Sequence, residues 1–454
     1  MLKTSIGQCF VHLVVMLCAF HGVVNAHDQN DPHVHAVQAV DVADMYRPTA
    51  MPDRIILTWS DDPKTTQAVT WRTSPVVEVA YAELAVAEAG PTFAEKSTRH
   101  RAKTESLRSN LSEAHFHSVV FENLTPQTRY AYRVGDGTNW SEWFQFSTAA
   151  AEPVPFSFVY FGDAQNNLRS LWSRVIREAY RDAPKAAFLL HAGDLVNRAE
   201  SDAEWGEWFG AGAWLNAMMP SVAVPGNHEQ VRDKNKKNRV SHHWRPSFTF
   251  PENGPPGLEE TCYSLTYQNL RIIAMNSNSE LETQASWLDD ILRSNTSTWT
   301  IVTFHHPIFS TGKNRDNPEI RRLWKPVFDK HRVDLVLQGH DHTYGRTGLK
   351  VPDDVDVKNV ATGVQAIDKQ HGTVYVVSVS GPKMYVNSRP PFMKRLGEDT
   401  QLYQVISIDA DRLRFEARTA VGQLYDAFEL HKQKGQNNTL VEIEPAMEQR
   451  LRPR

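Results

Sequence analysis

Val333-Asp334-Leu335-Val336-Leu337-Gln338 is an apolar run of strand length, and it runs directly into Gly339-His340-Asp341-His342. Such a run bounded by glycine reads as a buried strand, and two imidazoles two residues apart on an extended segment can converge on adjacent metal ions. Four further runs end in the same way. Phe156 to Phe161 leads to Gly162-Asp163, Ala186 to His191 to Gly193-Asp194, Ser221 to Val224 to Gly226-Asn227-His228-Glu229, and Trp299 to Phe304 to His305-His306-Pro307. Taken singly, a Gly-Asp after a strand is an ordinary turn and a lone histidine is structural. Taken in order they argue for one site, because open α/β sheets carry their functional loops where strands end.

Strand patterns at Leu270 to Met275 and Thr373 to Val379 belong to the same series, and amphipathic stretches at Ser170 to Arg181, Glu282 to Arg293 and Glu319 to Lys330 alternate with it. That alternation predicts a layered α/β domain over residues 151–432, with 433–454 as a C-terminal tail. Ala149 to Pro155 is a linker of small residues and prolines. Before it the pattern changes to short alternating runs: Ile55 to Trp59, Gln67 to Trp71, His115 to Phe121, Thr128 to Val134 and Trp143 to Thr148. Such runs, separated by turn residues, predict a β-sandwich over 49–150. Trp205, Trp208 and Trp214 sit on a helical pattern and read as core rather than as a binding groove.

The chain has 454 residues and a net charge of −4, with no long basic run, which argues against nucleic acid as a main partner. Met1 to Ala26 has a basic start, an apolar stretch from Phe10 to Phe20 and small residues at Val24 and Ala26, the pattern of a signal peptide cleaved after Ala26. No other stretch is apolar for the roughly 20 residues needed to cross a bilayer, so no membrane span is expected. Cys9 and Cys18 leave with the signal and Cys262 remains alone, so no internal disulfide can close. Export without disulfides fits a periplasmic or secreted protein. Residues 27–48, with His27, His33 and His35, read as a flexible leader.

Carboxylates, an amide and imidazoles gathered in one place are the donor set of a two-metal site. Two metals about 3.5–4 Å apart can clamp both oxygens of a displacement at phosphorus and acidify a water. Residues 151 to about 430 resemble the calcineurin-like metallophosphoesterase superfamily, and with the sandwich in front the arrangement resembles purple acid phosphatases. Asn123-Leu124-Thr125-Pro126-Gln127-Thr128-Arg129-Tyr130 likewise resembles the fibronectin type III corner.

This resemblance implies two packed sheets flanked by helices. It implies that Asp163 and His342 bind the first metal, that Asp194 bridges, and that Asn227, His305 and His340 bind the second. It places His228 beside the phosphate as the acid that protonates the leaving alcohol, His306 as a substrate-facing neighbour, and Tyr344 and Arg346 at the pocket rim. Two positions depart from the family. Asn197 stands where purple acid phosphatases carry an iron-binding tyrosine, and Gln165 where other branches carry a histidine. No tyrosinate–Fe(III) chromophore is therefore expected, and the first site should favour a divalent Fe, Mn or Zn with Gln165 or Asn197 as weak oxygen donors or supporting groups. Lys313, Asn314 and Arg315 replace the substrate-side histidines of the plant enzymes and offer cations for the phosphate. The expectation is an exported hydrolase of phosphate monoesters in which metal-activated hydroxide attacks phosphorus. The rival readings are a phosphodiesterase or nucleotide-cleaving enzyme and a non-catalytic binding protein on the same scaffold.

Overall fold

The computed structural model describes residues 38–232, 238–352, 372–433 and 435–454. The expected signal peptide, residues 1–26, and the histidines His27, His33 and His35 of the expected leader lie outside them.

Phe156–Phe161 pairs in parallel with Leu189–His191, which pairs in parallel with Ser221–Ala223. Leu402–Asp409, Arg412–Thr419, Leu424–His431 and Thr439–Ile443 extend this sheet antiparallel to seven strands. A second seven-stranded sheet has Leu270–Ala274, Trp299–Thr303, Leu335–Gln338 and Val374–Val377 as its parallel centre. Period-two alternation decides which neighbours each face meets. Ile272, Ile301, Leu335 and Val376 join Phe158, Tyr160, Leu190 and Ile406 in the core between the sheets. The intervening Ile273, Val302 and Val336 pack instead with Leu288, Trp324 and Phe328, which lie on helices Leu281–Arg293 and Pro318–His331. Each such side chain, fully buried, stabilises the fold by about 1.5–3 kcal/mol before entropy is counted. The Tyr160 hydroxyl donates to the Gln338 carbonyl, fastening one sheet to the other beside the site. The fold is thus α/β, as the pattern predicts, with the two packed sheets and outer helices that the resemblance implies.

In front of it stand two four-stranded sheets with a core of Leu57, Val69, Trp71, Val119, Phe121, Tyr132 and Phe146. The corner motif is realised: the Thr125 N–H donates to the Tyr130 hydroxyl oxygen at 2.9 Å. Three strands escaped the sequence reading, namely Tyr81–Val86, Thr98–Arg101 and Lys103–Arg108. The first holds two Ala and one Glu, which favour helix; it pairs as a strand between Thr98–Arg101 and Arg129–Gly135, where Arg99 and Arg133 neutralise the buried Glu83. The other two are exposed and charged, as edge strands often are.

The sandwich is sealed to the α/β body by buried polar contacts. Arg54 forks onto Asp202 at 2.7 and 2.9 Å, and the Tyr132 hydroxyl donates to the Ala217 carbonyl at 2.6 Å. Two boundary expectations need correction. Thr439–Ile443, placed in a tail, is the edge strand of the first sheet, because its backbone completes the free side of Leu424–His431. The end of the leader is also anchored: the Tyr46 carbonyl accepts from Arg72, and the Tyr46 ring covers Gly206. Trp205 and Trp208 are core, whereas Trp214 is half exposed with its ring edge-on to Tyr180. Among the described residues no helix is long and apolar enough to cross a membrane.

Candidate metal centre

The strand exits turn inward where glycine allows a carboxylate to take the place of a side chain. A Cβ on Gly226 would fall 2.1 Å from Asp194 Oδ1, and a Cβ on Gly339 would fall 2.1 Å from Asp163 Oδ1. Three of the expected ligands occupy the left-handed region, with φ of 51° at Asp194, 76° at His340 and 50° at His342. Each such residue costs about 1–2 kcal/mol, a strain that functional sites concentrate. Residues 340–343 are therefore a series of bends, not the extended segment expected from their spacing. Those reversals deliver the imidazoles of His340 and His342 to different halves of one cluster.

In one half, Asn227 Oδ1 lies 3.1 Å from His305 Nε2 and 2.9 Å from His340 Nδ1, and these nitrogens are 3.1 Å apart. His305 Nε2 is also 3.2 Å from Asp194 Oδ2. In the other half, His342 Nε2 lies 3.3 Å from Asp163 Oδ2 and 3.2 Å from Gln165 Nε2, which is 2.6 Å from Asp194 Oδ2. Ligand atoms of Asp194, His305 and His340 fall within 4.8 Å of one another, as do those of Asp163, Asp194 and His342. Asp194 is common to both groups. The strands that supply these residues end at the same edge of the two sheets, so side chains far apart in sequence share one space.

The chemistry of these donors fits metal ions. Among the described residues Asp163 Oδ2 and Gln165 Oε1 are buried without a hydrogen-bond partner, an expensive state that a cation relieves. Burial pushes His305 down, but the Asp194 and Asp163 carboxylates outweigh it and hold its imidazole at about 9. Burial also lifts Asp163, to about 7. The buried carboxylates thus recruit positive charge. A mixed set of carboxylate, amide and imidazole donors suits Mn, Fe or Zn.

A second layer orients the ligands. His305 Nδ1–H donates to the Ala192 carbonyl at 2.9 Å and His342 Nδ1–H to the Lys383 carbonyl at 3.0 Å, which turns each Nε2 lone pair to the site. Glu229 accepts backbone N–H groups of Asp194 at 2.8 Å, Gly226 at 2.7 Å and Val196 at 3.1 Å, tying two ligand loops together. His228 is half-buried, with its N–H donating to Asp194 Oδ1 and its ring Nδ1–H to the Asn197 carbonyl at 2.6 Å. The Asn197 backbone thus helps to orient His228. The His306 ring lies 4.3 Å from the His340 ring, its Nδ1 bonded to the Ser277 hydroxyl. Arg315 donates to the His340 carbonyl at 2.9 Å.

Tyr344 and Arg346 are not at the rim. The strand Tyr344–Thr347 turns both between the sheets, where the Tyr344 hydroxyl and a fork from Arg346 converge on Asp426. Glu229, Lys383 and Tyr385 carried no assigned role in the sequence, yet they frame the site. Glu229 stood within a quoted motif. Lys383 and Tyr385 follow Gly381 after another strand exit, a signal hidden by the lack of ligand-type residues there.

Residues 52–148 match the purple acid phosphatase N-terminal domain family and residues 156–344 the calcineurin-like phosphoesterase family. An uncharacterized protein of Mycobacterium tuberculosis is 29% identical over 331 residues, covering 62% of this chain and 61% of the relative. The Fe(3+)-Zn(2+) purple acid phosphatase 12 of Arabidopsis thaliana is 25% identical over 254 residues, with 52% and 53% covered. The chain thus spans about half to six-tenths of the length of these curated relatives. The purple acid phosphatase from yellow lupin seeds has the same fold, with a TM-score of 0.69 at 17% identity over 84% of this chain and 74% of that one. The structure of PhoD gives 0.61 at 14% identity, with 88% and 93% covered. With sandwich and catalytic domain both matched in order, the chain belongs to the calcineurin-like metallophosphoesterases and carries the N-terminal domain of purple acid phosphatases.

Proposed function

We propose that this protein hydrolyses phosphate monoesters with two divalent ions, one held by Asp163, His342, Gln165 and Asp194 and the other by Asp194, Asn227, His305 and His340. The observation that supports the reading is the sharing of Asp194 between two donor groups, one fully buried and one that opens at His340. Ions bound there supply positive charge to the phosphoryl oxygens and an acidified water, the two needs of ester hydrolysis.

The chain's own residues do the rest. His228 uses Nδ1–H to hold the Asn197 carbonyl, which leaves Nε2 as the atom that keeps a proton and passes it to the departing alcohol. Arg315, fixed by the His340 carbonyl and Asp341, presents its remaining N–H groups to phosphate oxygens. His306, anchored on Ser277, fills the wall beside His340. Gln165 completes the first half when its carboxamide turns Oε1 toward the site, the oxygen that is otherwise buried and unpaired. Asn197 in place of a tyrosine leaves the protein without a tyrosinate–iron colour. Residues 1–26 direct export, to a periplasm or the cell exterior.

The name of the Arabidopsis relative supports both the phosphatase reading and an iron- or zinc-type pair. Parallel assays with p-nitrophenyl phosphate and its bis ester test the proposal on protein loaded with Mn or Zn. The expected result is faster turnover of the monoester and its abolition in Asp194→Asn. Faster diester turnover makes the enzyme a phosphodiesterase, and hydrolysis of neither ester overturns the enzymatic reading.

A further inference from the structure

Helix Asp202–Gly212 ends on Ala213, whose φ of 42° and ψ of −127° fall outside the regions that side-chain-bearing residues ordinarily occupy. Such a conformation persists only where its surroundings impose it, and the residue that follows it is Trp214. Trp205 and Trp208 on the preceding helix are fully buried, yet Trp214 is 45% exposed. Its indole stands edge-on to the Tyr180 ring, with centroids 4.8 Å apart. Tyr180, together with the exposed Met218 and Val154, lines a groove of about 420 Å³ between the sandwich and the catalytic body.

The sandwich gives this groove exposed polar groups, Gln127, Arg129, Gln145 and Ser147, and the catalytic body adds Lys185. No Asp or Glu lines it. Arg129 and Lys185 each meet no carboxylate within 4.0 Å among the described residues. The carboxylates on the helix that carries Tyr180 are engaged elsewhere, Glu178 with Arg181 and Asp182 with Arg418 and the Tyr403 hydroxyl. Phe156, Ala186 and Pro220 place the groove at the start of strands Phe156–Phe161, Leu189–His191 and Ser221–Ala223, whereas Asp163, Asp194 and Asn227 follow their ends. A ligand here therefore leaves the metal centre open.

We propose that this groove binds an acidic oligosaccharide of the uronate class, which anchors the protein to a glycan without occupying the metal centre. A pyranose has an apolar C–H face and a rim of hydroxyl groups. The Trp214–Tyr180 pair takes the first by stacking, and the amides of Gln127 and Gln145 and the Ser147 hydroxyl bond the second. The planar carboxylate of a uronate matches the Arg129 fork, and Lys185 supplies a point charge for it. A nucleic acid fits less well, because two cations on a chain of net charge −4 neutralise few phosphates. The proposal stands independently of phosphoester hydrolysis.

The test is calorimetry on the full chain, with and without Mn, using tetragalacturonate, maltotetraose and a short oligothymidylate as probes. Tetragalacturonate is expected to bind about tenfold more tightly than maltotetraose, the factor that one charge-assisted contact carries. The double variant Arg129→Gln/Lys185→Gln should bring that ratio to about one. Trp214→Ala should weaken both sugars about tenfold and keep the ratio. All three side chains are exposed, so urea midpoints should stay near wild type and report that each variant is folded. Absence of sugar binding, a ratio unmoved by the double variant, full sugar affinity in Trp214→Ala, or tighter binding of the oligothymidylate overturns the proposal. Tetragalacturonate binding that requires Mn overturns it as well, by placing the sugar at the metal centre.

Discussion

Gly339 and Asp163 occupy one another's space: the Cβ that Gly339 lacks would lie 2.1 Å from Asp163 Oδ1. The same oxygen accepts the His340 N–H at 2.7 Å, so the carboxylate of one sheet is seated on the loop of the other. Gly339→Ala should push Asp163 out of the first donor group and weaken metal retention about 10- to 100-fold, the usual cost of disturbing groups that orient ligands. Metal content after dialysis against a buffered chelator measures this. Retention equal to wild type would show that the seat tolerates a methyl group.

Asn197 offers a gain-of-colour test. Its N–H is held by Glu204 at 2.8 Å and its carbonyl by His228 at 2.6 Å, so the backbone stays in place when the side chain changes. Asn197→Tyr loaded with Fe(III) should acquire a visible tyrosinate-to-iron absorption that the wild type lacks. A colourless variant with full iron content would remove position 197 from the first metal's surroundings.

Stability should fall in acid because histidines outside the metal site, His191 and His117 among them, are buried neutral. Burial lowers His191 to about 3 and, with a contribution from His115, lowers His117 to about 4. Both lie below the unfolded value near 6.5, so the stability they contribute is complete above pH 6.5 and is lost as pH falls toward 4. Each should cost about 2 kcal/mol between pH 7.5 and pH 5, read from urea midpoints. Among the described residues His191 has no hydrogen-bond partner at either ring nitrogen; its ring stacks on Phe161 and meets Trp172 tilted and Trp208 edge-on. His191→Phe should therefore flatten the acid limb by about one histidine's share, and an unchanged slope would refute this assignment.

The joint between sandwich and catalytic body depends on a buried ion pair. Arg54 and Asp202 are each 3% exposed at the side chain, and Arg72 also reaches Asp202 at 3.3 Å. Asp202→Ala leaves two buried guanidinium groups short of a partner and should destabilise the protein by about 3–5 kcal/mol. A loss under about 1 kcal/mol in denaturant melts would mean that water replaces the carboxylate.

The order of strand exits, the two-domain division and the ligand types were legible in the sequence, because hydrophobic period and glycine placement are local properties. Local pattern placed Asp163, Asp194, Asn227, His305, His340 and His342 at strand exits, whereas their expected roles came from the family resemblance. Tertiary structure alone decided which neighbours face the cluster. Tyr344 and Arg346 follow His342 closely, yet the left-handed turn at His342 sends them between the sheets to Asp426. Lys383 and Tyr385 lie some forty residues onward, yet their backbone bonds to His342 place them at the first donor group. Periodicity tells which residues end a strand, but the direction of a loop's side chains depends on backbone reversals and on partners from the other sheet, and no local pattern encodes those.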